Sequence, residues 1–368
     1  MKPFRAIHAS LKLLLRTSLL IIGLGTALHA QAAKGDVLAV GDLSDNSVRF
    51  LDARTGELLK RPLVEPGSGG LLGPMGILHD KRRNEWLVVS QNLDEPLPGE
   101  ILRYDAAGKP LGALVPRTDP NAPLTPRGMV LLGNGAVRIL FVADLGDIGV
   151  TGKLLAYLVV GTRATFIANL DPNLSKPGTT PPFHPRGVVL GPDGYLYVAI
   201  RNLPEPCGGS ILRFDPRKLR FVDILISNPV DCNANVNDLQ RPEALVFSPA
   251  GDLYITSFRQ TPELCNCVDN SKILIIPKQD RRSGRIRLPL DRIDLHRTDE
   301  PNVYAQAILF GPRGNLFVPI SNTGEVRRYD VQTKAYRTFV PLGQGLGEPW
   351  YLSFRKTDPA TLAYGDRD

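Results

Sequence analysis

The chain has 368 residues, of which 43% are hydrophobic, with 44 Lys and Arg against 37 Asp and Glu. Four of the basic residues lie in the first 33 positions, which hold no acidic residue, so 40 basic and 37 acidic residues remain beyond them. This near balance of scattered charges excludes the clustered basic stripe of a nucleic-acid-binding protein.

The first 33 residues have the layout of a secretory signal peptide. The four basic residues precede or flank an apolar run from about Leu19 to Leu28, and Ala30-Gln31-Ala32 has the small-x-small pattern of a cleavage site. The run is about half of the roughly 20 residues that a membrane-spanning helix needs. We therefore expect a secreted or periplasmic monomer in which 1–33 are removed and 34–368 form one domain. An uncleaved membrane anchor is the alternative.

Apolar strands recur along the remaining sequence. They begin at Pro74, Pro126, Pro185, Pro242, Ala305 and Pro349. Most are followed by a glycine turn such as "GPDG", a second strand such as "YLYVAIRN", a third such as "ILRFD" and a fourth such as "RFVDILI". Repeats of about 40 to 50 residues, lengthened by insertions, are typical of β-propellers, in which each blade has four antiparallel strands.

The two ends of the domain together supply one more blade. The N-terminal end offers only three strands, "DVLAVGD", "SVRFLDA" and "ELLKRPLV", and the C-terminal "EPWYLSFR" offers the missing one. Their pairing closes the ring and removes a free sheet edge. The sequence thus predicts an all-β, six-bladed β-propeller of four-stranded antiparallel blades, closed by a C-terminal strand that completes the N-terminal blade.

The residues beside the start of each inner strand change from blade to blade. Those just after the proline position are Met75, Arg127, Arg186, Glu243, Gln306 and Trp350. Those just before it are Gly73, Thr125, His184, Arg241, Tyr304 and Glu348. Strand residues must repeat because each blade packs on its neighbour, whereas unlike side chains that converge on the axis can shape a pocket.

From these residues we predict a ligand site. Its binding residues are predicted to be Arg127, Arg186, Gln306, Tyr304 and Trp350. The two arginines suit an anion or a carboxylate, because each guanidinium presents a planar fork of donors. The alternative is a salt-bridge network, with Glu243 and Glu348, that seals the channel.

The blade pattern, an apolar strand followed by "GPDG", "YLYVA" and "ILRFD", resembles that of the NHL-repeat and gluconolactonase (senescence-marker-like) six-bladed propellers. The resemblance covers about residues 36–357. It implies that metal ligands, carboxylates and an Asn, would stand at the starts of the inner strands. Two arginines in that column depart from this pattern, since a guanidinium repels a cation. We therefore expect no metal or other cofactor, with a divalent ion such as Ca²⁺ as the alternative.

Two functional hypotheses follow, and a passive interaction scaffold is a third possibility. The residues do not decide among binding, catalysis and a purely structural role. The first is a secreted propeller that binds a small anionic or carbonyl ligand, or a protein partner, on the face with the long loops at 92–99, 146–152, 202–209 and 259–270. The second is a hydrolase or lactonase acting in the channel, with His184, Glu243 and Glu348 as acid/base or ligand groups.

Four cysteines, Cys207, Cys232, Cys265 and Cys267, fall on the long-loop face. An even number of cysteines in an exported protein favours disulfides, with free thiols as the alternative, and the C-x-C spacing of the last two does not match a zinc site. A bond between Cys265 and Cys267 would close a very small, strained ring. We therefore expect each of them to bond outward, one to Cys207 and the other to Cys232.

Overall fold

The computed structural model describes residues 35–92, 98–147, 152–170, 172, 183–202, 207–258, 271–295 and 303–365. They form six four-stranded antiparallel sheets, and the inner strands of neighbouring sheets contact one another around a ring. The predicted six-bladed propeller is confirmed. In these ranges, no helix has the length and apolar character needed to cross a bilayer.

The strands follow one another blade by blade. Blade 1 contains β1 (Val37–Asp42), β2 (Ser47–Asp52) and β3 (Leu58–Val64). Blade 2 contains β4 (Pro74–Asp80), β5 (Glu85–Ser90), β6 (Glu100–Asp105) and β7 (Pro110–Val115). Blade 3 contains β8 (Pro126–Leu132), β9 (Val137–Asp144), β10 (Lys153–Val160) and β11 (Arg163–Asn169). Blade 4 contains β12 (Pro185–Leu190), β13 (Leu196–Arg201), β14 (Gly209–Asp215) and β15 (Arg220–Asn228).

The last two blades complete the ring. Blade 5 contains β16 (Leu245–Phe247), β17 (Leu253–Ser257), β18 (Lys272–Ile276) and β19 (Asp291–Asp294), with a short helix, α1 (Lys278–Ser283), before β19. Blade 6 contains β20 (Leu309–Phe310), β21 (Leu316–Ile320), β22 (Glu325–Tyr329) and β23 (Tyr336–Val340). The final strand, β24 (Pro349–Phe354), pairs with β1 and gives blade 1 the order β24-β1-β2-β3, as predicted.

Burial explains why the second strands read as continuous apolar runs rather than as alternating ones. Every residue of β5 and of β13 is buried, because each strand lies between its sheet partners and packs on neighbouring blades with both faces. The outermost strands β7 and β11 are largely exposed or half-buried. The core therefore lies between the blades and around the axis.

The inner strands approach one another so closely that most blades carry a small residue at the contact. A Cβ atom on Gly128 would lie 2.8 Å from the carbonyl oxygen of Arg186, and one on Gly187 would lie 2.7 Å from that of Glu243. Real Cβ atoms do not tolerate such distances to backbone, so a side chain there would push β8 and β12 apart. The same column holds Gly76, Gly128, Gly187, Ala244, Ala307 and Tyr351.

A cavity of about 50 Å³ remains on the axis, and all six residues of that column line it. The segment after β24 covers one end of the cavity. The carbonyls of Pro359 and Ala360 accept hydrogen bonds from the amides of Leu131 (2.8 Å) and Leu190 (3.0 Å), at the ends of two inner strands. Leu362 adds its side chain to the cavity lining. We call the opposite end, where the six inner strands begin, the channel mouth.

The cysteine pairing differs from the expected one. Cys207 is bonded to Cys232, so the expectation that each would bond Cys265 or Cys267 is wrong. The reason is local: Cys207 precedes β14, Cys232 follows β15, and these strands pair with Gly209 opposite Asn228, which brings both cysteines to one end of a hairpin. Cys265 and Cys267 lie outside the described residues.

This pairing predicts non-additive effects of cysteine replacement. Cys207→Ala, Cys232→Ala and the double variant are each expected to lower the free energy of unfolding by about 3 kcal/mol, because each loses the same loop constraint across a sequence separation of 25 residues. Urea unfolding of the three oxidised variants measures this. Single-variant losses that add up in the double variant would show that the two cysteines have different partners.

Candidate functional site

Glu243 lies at the centre of the channel mouth, just before β16, with 0% of its surface exposed. A side chain holds the backbone here: the amides of Glu243 and Ala244 both donate to Thr256 Oγ1, at 3.1 and 2.9 Å. This anchoring fixes where the carboxylate points. A buried carboxylate is tolerated only when cations or donors surround it.

Three buried arginines from blades 3 and 4 supply those cations. Arg201 Nη2 donates a hydrogen bond to Glu243 Oε2 at 2.7 Å. Arg186 Nη1 lies 3.6 Å from Oε2, and Arg127 Nη1 lies 3.7 Å from Oε1. At these longer distances the two guanidiniums attract the carboxylate by charge without a direct hydrogen bond. One anionic and three cationic groups therefore meet at a single buried point.

The arginines decide the ionisation of Glu243. Burial by itself would raise the pKa of this carboxyl group, but the charges of Arg186, Arg201 and Arg127 outweigh burial and lower the pKa from 4.5 to about 2. Glu243 is therefore ionised at neutral pH. A general acid or base works best with a pKa near the working pH, so this environment suits a fixed negative charge better than a proton carrier.

His184 belongs to the same cluster. Its Nε2 lies 3.4 Å from Arg186 Nη2, and its carbonyl accepts a hydrogen bond from the Arg201 amide at 3.3 Å. The side chain is buried. The start of β12 thus places the imidazole of His184 beside the guanidinium of Arg186.

Aromatic rings flank the arginines on two sides. The Arg127 guanidinium lies 4.9 Å from the centre of the Trp350 ring, whose indole N–H donates to Glu348 at 2.8 Å. On the other side, the Arg201 guanidinium lies 5.1 Å from the Phe258 ring. Such cation–π contacts hold guanidiniums in place while leaving their N–H edges available to acceptors.

The predicted site residues do not all occupy the same place. The structure brings together Arg127, Arg186, Glu243 and His184 at one point, and Trp350 contacts Arg127. Glu348 is half-buried, and its carboxylate binds the Trp350 indole rather than a guanidinium, so the salt-bridge network forms around Glu243 without it.

Two other predicted ligand residues lie further out. Tyr304 is 38% exposed, and its ring centre is 6.0 Å from that of Phe258. Gln306 is buried in the predicted column but, among the described residues, makes no hydrogen bond to the cluster. These two residues therefore stand beside the cluster rather than in it.

Sequence reasoning missed Arg201, which is the only direct hydrogen-bond donor to Glu243 within the described part of the chain. Its amide bonds the His184 carbonyl just as the Gln91 amide bonds the Gly73 carbonyl at 3.0 Å in blade 2. The end of each second strand therefore lies beside the start of its inner strand and forms a second column of mouth residues. The sequence does show this arginine, at the end of the second-strand pattern "YLYVAIRN".

Tyr351 was also missed. It is the one large residue in a column of glycines and alanines, and it lines the axial cavity. Its hydroxyl is buried and makes no hydrogen bond in the described part of the structure. Burial raises the pKa of this phenol, with the negative charge of Glu243 next in size, so the hydroxyl keeps its proton at neutral pH.

Several polar atoms of the mouth have no hydrogen-bond partner among the described residues. They are Glu243 Oε1, the Tyr351 hydroxyl and both side-chain amide atoms of Gln91. Buried polar atoms are nearly always hydrogen-bonded to protein or ordered water. Ordered water or a bound molecule can supply the missing partners. Across the described ranges, no group of three or more His, Cys, Asp or Glu side chains has the arrangement of a metal site.

Comparisons with known proteins identify the fold only. No family model and no curated protein sequence matches the chain. Among solved structures, the chain is similar to one in a nidogen/laminin complex (TM-score 0.56, 16% identity, covering 87% of this chain and 98% of that one). It is also similar to a Bacteroides uniformis protein provisionally assigned as a 6-phosphogluconolactonase (TM-score 0.51, 13% identity, 87% and 99% covered). A Lactobacillus plantarum protein gives the same TM-score, identity and coverage.

Replacing Glu243 tests the electrostatics of the cluster. Glu243→Gln is expected to lower the free energy of unfolding at pH 7 by about 3 kcal/mol or more, because it leaves three buried cations without their carboxylate. The pKa of Glu243 is lower in the folded protein than the ordinary value. Its stabilising effect is therefore complete above pH 4.5 and disappears as the pH falls to about 2.

Urea unfolding at pH 7, 5 and 3 measures this effect. The gap between wild type and Glu243→Gln should be wide at pH 7 and 5 and narrower at pH 3. Glu348→Gln serves as the control. The Glu348 carboxylate is half-buried and accepts from an indole N–H, and glutamine keeps an acceptor oxygen, so this variant should lose about 1 kcal/mol or less. A gap for Glu243→Gln that does not depend on pH would contradict the ionised state assigned to this residue.

Proposed function

We propose that this propeller binds a small carboxylate-bearing anion at the channel mouth, with Arg127, Arg186 and Arg201 as the binding residues. The observation that supports this most is the convergence of three buried guanidiniums on one ionised carboxylate. Each guanidinium carries several N–H donors in a planar fork that matches a carboxylate. Arg201 donates directly to Glu243, and Arg127 and Arg186 approach it to 3.7 and 3.6 Å, so all three guanidiniums face one place where an anion can bind.

Glu243 has a structural part in this proposal. Its fixed negative charge lowers the mutual repulsion of the three arginines and holds them in one arrangement before a ligand arrives. Such preorganisation reduces the ordering cost of binding. A charge-assisted hydrogen bond in a buried site is also stronger than the same bond in water. The mouth is thus built to hold an anion rather than a cation.

We also propose that the protein works outside the reducing cytosol. The basic and apolar leader supports this, and so does the Cys207–Cys232 disulfide, because disulfides persist mainly in oxidising compartments. The relationship to gluconolactonase-like and NHL-repeat propellers, which the blade pattern indicates, remains part of the proposal. A protein partner on the long-loop face is the alternative occupant of the same surface.

Anion binding can be measured with simple probes. Acetate, propionate and glycolate are each expected to raise the melting temperature in a saturable way, beyond the effect of chloride at equal ionic strength. Arg186→Gln should weaken their binding by about tenfold or more, because it removes a charge-assisted contact. Calorimetric titration gives the affinities.

The chain offers a matched control. Arg328→Gln removes an arginine of blade 6 whose guanidinium stacks on Phe339 at 5.9 Å, and it should leave carboxylate binding unchanged. The proposal fails if no carboxylate stabilises the wild type more than chloride does. It also fails if Arg328→Gln weakens binding as much as Arg186→Gln does.

A hydrolase or lactonase acting in the channel is the second candidate. It is supported by the proximity of His184, Arg186 and Glu243. A histidine, a carboxylate and an oxyanion-stabilising guanidinium can together support acyl transfer. The low pKa of Glu243 speaks against its use as a proton carrier. The test is turnover of a γ-lactone and of an aryl ester, with and without Ca²⁺, Mn²⁺ or Zn²⁺.

We expect no turnover and no metal-dependent rise in melting temperature. Turnover that His184→Ala abolishes without loss of stability would establish the catalytic candidate. A metal-dependent thermal shift that disappears in Glu243→Ala would bring a metal-dependent lactonase back into consideration.

A further inference from the structure

Glu243 Oε1 restricts the kind of ligand that can bind at the channel mouth. This oxygen belongs to an ionised carboxylate, is fully buried and accepts no hydrogen bond among the described residues; Arg127 Nη1 approaches it only to 3.7 Å. A ligand that covers it without donating a hydrogen bond would leave it permanently unsatisfied, which costs binding energy. A well-matched ligand therefore carries a hydrogen-bond donor as well as a carboxylate.

The surrounding charges narrow down the chemistry of that donor. An ammonium group would meet three guanidiniums in a buried site, where repulsion between like charges is strong. A hydroxyl group donates a hydrogen bond without adding positive charge. The donor that suits this mouth is therefore an alcohol.

Tyr351 supplies the complementary group. Its hydroxyl is buried and, within the described structure, forms no hydrogen bond. It lines the axial cavity together with Gly128, Gly187 and Ala244, which directly follow Arg127, Arg186 and Glu243 in the sequence, so it lies at the same end of the channel. A hydroxyl accepts one hydrogen bond while donating another. One ligand alcohol can thus donate to Glu243 Oε1 and accept from Tyr351.

We propose that the anion bound at the mouth is a hydroxycarboxylate, with its carboxylate on Arg127 and Arg186 and its alcohol between Glu243 Oε1 and the Tyr351 hydroxyl. This inference rests on the proposed function. The arginine nitrogens lie within 4 Å of the Glu243 oxygens, so the carboxylate and the alcohol must be close together. A 2-hydroxycarboxylate satisfies that spacing.

Glycolate and propionate make a matched pair of probes, because they have nearly the same size and differ in a hydroxyl against a methyl group. Calorimetric titration of the wild type is expected to show glycolate binding at least tenfold more tightly than propionate, the effect of about one well-made hydrogen bond to a charged group. Tyr351→Phe should reduce this preference severalfold and leave propionate affinity unchanged.

The same variant carries its own folding control. Because the Tyr351 hydroxyl has no protein hydrogen-bond partner in the described structure, Tyr351→Phe should leave the melting temperature of the ligand-free protein unchanged or slightly higher. Tyr254→Phe, in the interior of blade 5 where Tyr254 packs on Phe310, should leave both affinities unchanged.

The outcomes separate the two proposals. Equal binding of glycolate and propionate overturns the hydroxycarboxylate inference while anion binding stands. A wild-type preference that persists in Tyr351→Phe overturns the part assigned to Tyr351. If neither probe binds, the proposed function itself fails, and the inference fails with it.

Discussion

Pairing of β24 with β1 closes the propeller ring. It joins the first and last strands of the described chain into one blade, and without it β1 would present an open sheet edge. The same strand places Trp350 and Tyr351 at the channel mouth. The segment that follows it covers the opposite end of the channel through Leu362. The same strand, β24, therefore closes the ring and supplies residues of the candidate site.

The second constraint is the close approach of the inner strands. Gly128 and Gly187 allow neighbouring backbones to come together so tightly that little space remains on the axis. Charged groups at the mouth are thereby removed from water and forced to satisfy one another. Glu243 meets this demand with three arginines, which surround its carboxylate. The packing that stabilises the ring thus also creates the electrostatic character of the mouth.

The candidate site was predictable in part. Arg127, Arg186, Glu243 and His184 could be found because the repeat shows where each inner strand begins, and the structure brings these four together. Glu348 shares their column, yet its carboxylate bonds Trp350. Alignment of repeats gives the position of a side chain around the axis, but its partner depends on rotamers and on distances between blades.

The number of blades, the strand order and the ring closure could be read from the sequence, because they follow from a repeat length and a strand period that local residue patterns record. Tertiary structure alone decided which distant groups touch. Arg201 reaches Glu243 only because the second strand of blade 4 ends beside the mouth. Tyr351 fills the axis only because other blades have glycine or alanine there. Cys207 bonds Cys232 because two paired strands end together. Each is a distance between separate segments, which no local pattern of residues records.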